Sequence, residues 1–192
     1  MNIIVGPYGK AGYCCRPDTS WEKENRDFYV PEGIDTVCWA PVVFARICKA
    51  GKCIGGKFIS RYYDSFGFGA LLYPQVKDCN DPAMSFAASS CIDHTSLLPH
   101  PLYDTDMLGK EDCQLRISAN DEAAFQTRTS AQMKEMLEKA ICEASGYISL
   151  RIGDYVAIEL DESHVLAERQ TGETAFRADF GEKEIFGIRI IF

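Results

Sequence analysis

The chain has 192 residues, of which 46% are apolar and 25% charged, ordinary figures for a globular protein able to bury a full core. Against 28 acidic residues stand 20 basic ones, for a formal net charge of −8. The basic residues are scattered, which argues against a nucleic-acid backbone or an anionic membrane surface as partner.

No uninterrupted apolar run approaches the roughly 20 residues of a membrane helix. The short apolar patch at the N-terminus lacks the architecture of a cleavable signal. The expectation is therefore a cytoplasmic protein folding as one domain over residues 1–192.

In chain order, "VVFARIC" (42–48) is rich in β-branched and aromatic types and predicts a strand, with 49–52 as its turn. Phe58, Ile59, Tyr62 and Tyr63 then fall at helical spacing between Gly56 and Gly67. "FGALLY" (68–73) reads as an apolar strand buried on both faces. Residues 76–112, with Pro82, Pro99 and Pro101, read as loop with short strands.

The clearest helix covers 130–146. Met133, Met136, Leu137, Ala140, Ile141 and Ala144 form its apolar stripe, with Ser130 as N-cap and Gly146 as stop. After it come "YVAIEL", "VLAERQ", "TAFRADF" and "EIFGIRIIF", separated by turn-like "DESH", "TGE" and "GEKE". Four closely spaced strands predict an antiparallel meander closing into a roll or barrel. The fold class is mixed α+β and β-rich.

Nine cysteines occur at irregular spacing, which suits reduced thiols. Neither Cys14–Cys15 nor Cys48 with Cys53 has a second pair at zinc-ribbon spacing, and His94, His100 and His164 are distant in sequence. Small core residues are the expected role of the thiols.

The succession "RPDTS" (16–20), "VVFARICKAGKCI" (42–54), "RYYDSFGFG" (61–69), "IDHTS" (92–96), "FQTRTSAQM" (125–133) and "SLRIGDYVAIEL" (149–160) resembles the fumarylacetoacetate hydrolase family. Its branch of 2-hydroxyhepta-2,4-diene-1,7-dioate isomerases is the nearest in pattern. The resemblance implies a mixed β-sandwich roll, usually a homodimer. It also implies a Mg²⁺ or Mn²⁺ ion held by three carboxylates, as hard cations require, polarising an enol or 1,3-dicarbonyl substrate.

The residues that chemistry needs are missing. Aligned on this family, the Glu-x-Glu pair of ligands falls at Ala40 and Val42, and the Asp ligand at Leu71. No Asp or Glu occurs between Asp35 and Asp64, so no slip of register restores the pair. The catalytic His of the N-terminal lid has no counterpart before His94. The substrate-binding Lys falls at Ser90, and Glu159 and Leu160 stand where Gly and Thr belong.

A replacement cluster from Asp78, Asp81, Asp93, Glu159, Asp161 and Glu162 competes with a reading of these as solvated loop acids. Trp39 and Tyr73 are expected to fill the volume left by metal and substrate. Arg16 at the pocket edge is either a carboxylate anchor or part of a surface ion pair. His94, His100 and Cys91 carry no obvious catalytic partner.

The sequence thus predicts a non-catalytic scaffold, binding or regulatory protein without a cofactor, with Arg16, Tyr73 and Ser90 as pocket candidates. Its expected partner is a second copy or an active paralogue, and its expected ligand a small carboxylate. The alternative is an active Mg²⁺- or Mn²⁺-dependent hydrolase, isomerase or decarboxylase acting on an acylpyruvate-type substrate.

Overall fold

Two runs rich in β-branched and aromatic residues, 34–47 and 63–76, each form a strand of 14 residues, and together they carry the architecture. The computed structural model describes residues 1–77, 79–110 and 113–192.

In chain order the strands are β1 (Ile3–Gly6), β2 (Cys14–Arg16), β3 (Trp21–Glu22), β4 (Phe28–Tyr29), β5 (Ile34–Ile47), β6 (Tyr63–Val76), β7 (Ser96–Leu97) and β8 (Tyr103–Asp104). There follow β9 (Gln114–Ala119), β10 (Glu122–Arg128), β11 (Tyr155–Glu159), β12 (His164–Glu168), β13 (Glu173–Phe180) and β14 (Lys183–Ile191). The α-helices are α1 (Pro82–Ser90), α2 (Thr105–Leu108) and α3 (Ala131–Tyr147).

One sheet runs β2-β1-β11-β5-β6-β7-β3, with β12 also on β5 and β8 also on β6; the other runs β10-β9-β13-β14-β4. This is a mixed α+β, sheet-rich fold.

Side chains alternate across a strand, so β5 divides its residues between two cores. Val37, Trp39, Val43, Ala45 and Ile47 face the second sheet and α3, where the Trp39 ring meets Phe176 edge-on at 4.9 Å. Such a pair adds about 0.5–1.5 kcal/mol beyond its burial. Cys38, Ala40, Val42 and Phe44 face the opposite way, into a smaller apolar cluster with Ile3, Val5, Leu71, Tyr73 and Leu98.

A proline in the middle of a central strand is unusual, because it removes a ladder donor. Pro41 is tolerated because of where its neighbour changes. On one side β5 pairs with β11 as far as Val42 and with β12 from Trp39 backward. The Pro41 carbonyl accepts from Leu160 N–H across this join, so its nitrogen faces the gap and no bond to β6 is lost.

The structure corrects several expectations. The run around Phe58–Tyr63 is one 3₁₀ stretch, Gly56–Arg61, and the chain is already extended at Tyr63. The segment expected as loop with short strands holds the short β7 and β8 but also α1, which Asp81 caps by accepting from Ala83 and Met84 N–H, with Pro82 at its first turn.

α3 begins as expected, with Ser130 accepting from Met133 N–H, but it runs through Gly146 to Tyr147, and Met136 is 44% exposed rather than on the stripe. The four C-terminal strands form no meander. Only β13 and β14 pair with each other, while β11 and β12 both lie on β5 in the other sheet. Among the described residues no helix is long and apolar enough to cross a membrane.

Candidate functional site

The register of β5 with β6 sets Ala40 opposite Leu71, Val42 opposite Gly69 and Cys38 opposite Tyr73. On its other side Val42 lies opposite Glu159 of β11. Directly opposed residues share a face. Ala40, Val42 and Leu71 therefore converge, and all three are fully buried in the smaller apolar cluster.

Trp39 does not fill this face, contrary to expectation. The period of two along β5 turns it toward the second sheet. What roofs the face is the segment at Leu97–Leu98. A Cβ at Gly69 would lie 2.1 Å from the Leu97 carbonyl oxygen. Gly69→Ala is accordingly expected to cost about 1–3 kcal/mol by overpacking against backbone that cannot yield; chemical denaturation measures it.

Beside the cluster lies a buried polar network. Arg16 is 1% exposed and pairs with no acid among the described residues. Its Nε donates to the Ser90 carbonyl (3.2 Å), Nη1 to the Thr95 carbonyl (3.1 Å), and Nη2 to the Leu72 carbonyl (2.7 Å) and Thr95 Oγ1 (3.1 Å). The guanidinium carbon also stands 5.0 Å from the Tyr73 ring centroid. Burial lowers its pKa, and Tyr73, Cys14 and Glu159 oppose that shift. Arg16 is thus neither a surface ion pair nor a free anchor.

Ser90 is equally committed, its hydroxyl donating to the Phe86 carbonyl at 2.7 Å. Tyr73 donates to Glu159 Oε1 at 2.5 Å, while Glu159 Oε2 accepts from Tyr8 N–H at 2.8 Å. Burial, then the Glu159 charge, raises the Tyr73 phenol far above its ordinary range.

Of the three pocket candidates Tyr73 lines a cavity. Its volume is about 430 Å³, bounded by Tyr8, Lys10, Cys38, Phe86, Glu159 and Glu162 among others. The sequence places Glu159 where a glycine belongs and in the candidate replacement cluster, not as a buried acid bound by Tyr73. The cue to its role was an acid inside the otherwise apolar run "YVAIEL".

No family model and no curated protein matches the sequence. Solved structures do match the fold. Fumarylpyruvate hydrolase from Pseudomonas aeruginosa, in complex with Mn²⁺ and pyruvate, superposes with a TM-score of 0.80 at 12% identity, over 100% of this chain and 90% of that one. A Yersinia pestis CO92 protein provisionally assigned to the fumarylacetoacetate hydrolase family gives 0.76 at 14% identity, over 99% and 92%. 2-Hydroxyhepta-2,4-diene-1,7-dioate isomerase from Mycobacterium marinum gives 0.77 at 12% identity, over 99% and 74%. The chain has the fumarylacetoacetate hydrolase fold. At such identities the likeness establishes the fold alone.

Whether a divalent cation suits this version of the fumarylacetoacetate hydrolase fold is a question of donors. Mg²⁺ and Mn²⁺ take oxygen ligands, and the side chains of Ala40, Val42 and Leu71 offer none. Among the described residues Glu159 is the one carboxylate on the face, and a single carboxylate falls short of the anionic oxygens such an ion needs. The residues present do not fit the ion.

The replacement cluster does not assemble either. Asp78 lies outside the described residues. Asp81 caps α1, Asp93 is exposed, and Asp161 bonds to Glu162 N–H and His164. Among the described residues no three His, Cys, Asp or Glu side chains are grouped to hold a metal.

All nine cysteines are free thiols, and Cys91 is exposed just past the C-terminal end of α1. His94 is not partnerless. Its Nδ1 lies 2.9 Å from Glu22, a buried carboxylate on β3, and this contact ties the N-terminal segment to the 94–98 segment. Burial, with Lys23 and Arg46 nearby, lowers the pKa of His100, whose Nε2 is 3.4 Å from the Tyr155 hydroxyl.

Proposed function

We propose that this protein is a non-catalytic bearer of the fumarylacetoacetate hydrolase fold, working as a metal-free binding or scaffold protein. One observation carries the proposal. The face on which the resemblance places three carboxylates holds Ala40, Val42 and Leu71, each at 0% exposure inside an apolar cluster.

Catalysis of the implied kind depends on a cation polarising the substrate's oxygens, and that cation depends on anionic ligands. Exposed acids on nearby loops do not substitute, because among the described residues no three acids are grouped to hold a metal. The proposed partner, a second copy or an active relative, follows from the resemblance.

The test is turnover. The protein incubated with fumarylpyruvate, or another acylpyruvate, in millimolar Mn²⁺ is expected to leave the substrate at its buffer rate. Cleavage that scales with protein and disappears with a chelator would overturn the proposal.

A further inference from the structure

We infer that the cavity beside Glu159 binds a small organic cation, an ammonium compound, rather than a carboxylate; this rests on the metal-free reading above. Glu159 is 8% exposed, so its charge has largely left water. Buried charges are ordinarily paired. Its two partners, however, are a phenol and a backbone N–H, and it takes part in none of the ion pairs among the described residues. A carboxylate offers about four lone-pair sites, of which two are taken here, so acceptor capacity remains for an N–H donor.

The surroundings suit a cation. Glu162 adds a second acid to the cavity wall, and Lys10 is the one lysine or arginine there, on the exposed 7–12 loop. Arg16, the buried cation of this region, is not in the lining, and carbonyls and Thr95 hold its donors. The Tyr73 and Phe86 rings, stacked at 5.7 Å, both line this cavity and give it an apolar side for the organic part of such a ligand.

Across the loop lies a second cavity of about 770 Å³, which shares Tyr8, Lys10 and Glu159 with the first and adds Tyr13, Tyr147 and Glu143, with Lys139 beside them. A carboxylate ligand would instead bring like charge against Glu159 and Glu162. Its usual anchor, a free guanidinium, is absent from the lining residues.

Thermal unfolding of the intact protein tests this at fixed ionic strength. The probes are ethylammonium, tyramine and tetramethylammonium chlorides against sodium pyruvate and sodium oxalate. At least one of the ammonium probes is expected to raise the midpoint by about 3–5 °C at ten times its dissociation constant. Glu159→Gln, close to isosteric, is expected to abolish the rise.

A second readout needs no variant. Alkylation of Cys38, which lines the cavity, is followed by peptide mass and is expected to slow in the presence of the stabilising probe. Stabilisation by the carboxylates alone, or by none of the probes, overturns the inference. Metal-dependent turnover of an acylpyruvate would instead overturn the metal-free reading, so the two failures are distinguishable.

Discussion

Arg16→Ala is expected to destabilise the protein by about 3–5 kcal/mol, one of the two largest single-site effects anticipated here. The side chain is 1% exposed and donates to three backbone carbonyls and one hydroxyl, drawn from Leu72, Ser90 and Thr95. These groups sit on β6, at the end of α1 and in the turn leading to β7, so one guanidinium joins three parts of the chain. Removing it leaves buried acceptors without donors and opens a void beneath the Tyr73 ring.

Arg16→Met separates the two causes. It restores most of the volume and no donor, and is expected to recover only the packing share of the loss. Arg16→Lys keeps a charge but offers three donors in a compact head, and so does not reproduce the guanidinium's spread. Urea unfolding of the three variants measures the series. A loss below about 1 kcal/mol for Arg16→Ala would show that the network contributes little.

Val42→Glu is expected to cost about 3 kcal/mol or more. It places a carboxylate at a position with 0% exposure, among Ala40, Leu71 and Ala157, directly across from Glu159. Burial and a like-charged cross-strand neighbour act in the same direction.

Combined with Ala40→Glu and Leu71→Asp, the same change puts three acids on one face, the arrangement that the resemblance implies for a metal. The triple variant without metal is expected to be still less stable. Refolded with Mn²⁺, it is expected to regain stability, because a cation that binds only the folded state adds its binding free energy. A triple variant indifferent to Mn²⁺ would mean that these positions do not converge as the register indicates.

Much of this architecture is legible in the residues, because periodicity reports burial directly. "FGALLY" carries no polar residue except the Tyr73 hydroxyl, and it lies between two cores. The stripe of α3 is visible for the same reason, although Met136 shows that one apolar residue at helical spacing need not be packed. That Ala40, Val42 and Leu71 offer no oxygen donor is legible at once, because a side chain's chemistry is given by its residue type.

Other features depend on partners far away in the chain. That β11 and β12 leave the C-terminal hairpin to flank Pro41 is fixed by pairing with residues more than 100 positions earlier, which local pattern does not encode. Neither role expected of Arg16, carboxylate anchor or surface ion pair, is the one it has, because its acceptors are backbone carbonyls and a threonine hydroxyl, and carbonyls have no sequence signature. The size of Trp39 suggests a filler for the old pocket, but the alternation from Cys38 and Ala40 already turns it to the other face. The α1 helix was signalled by Asp81-Pro82, a cap followed by a first-turn proline, in a stretch whose prolines suggested only loop.

The decisive measurement is the melting temperature of the unaltered protein, dialysed against a chelator and then scanned with Mn²⁺ or Mg²⁺ from micromolar to ten millimolar. An apolar face that offers no anionic oxygen should leave the midpoint where it began. A saturable rise that is removed by chelator and lost in Glu159→Gln would mean that a dication binds there after all, and would contradict the metal-free reading.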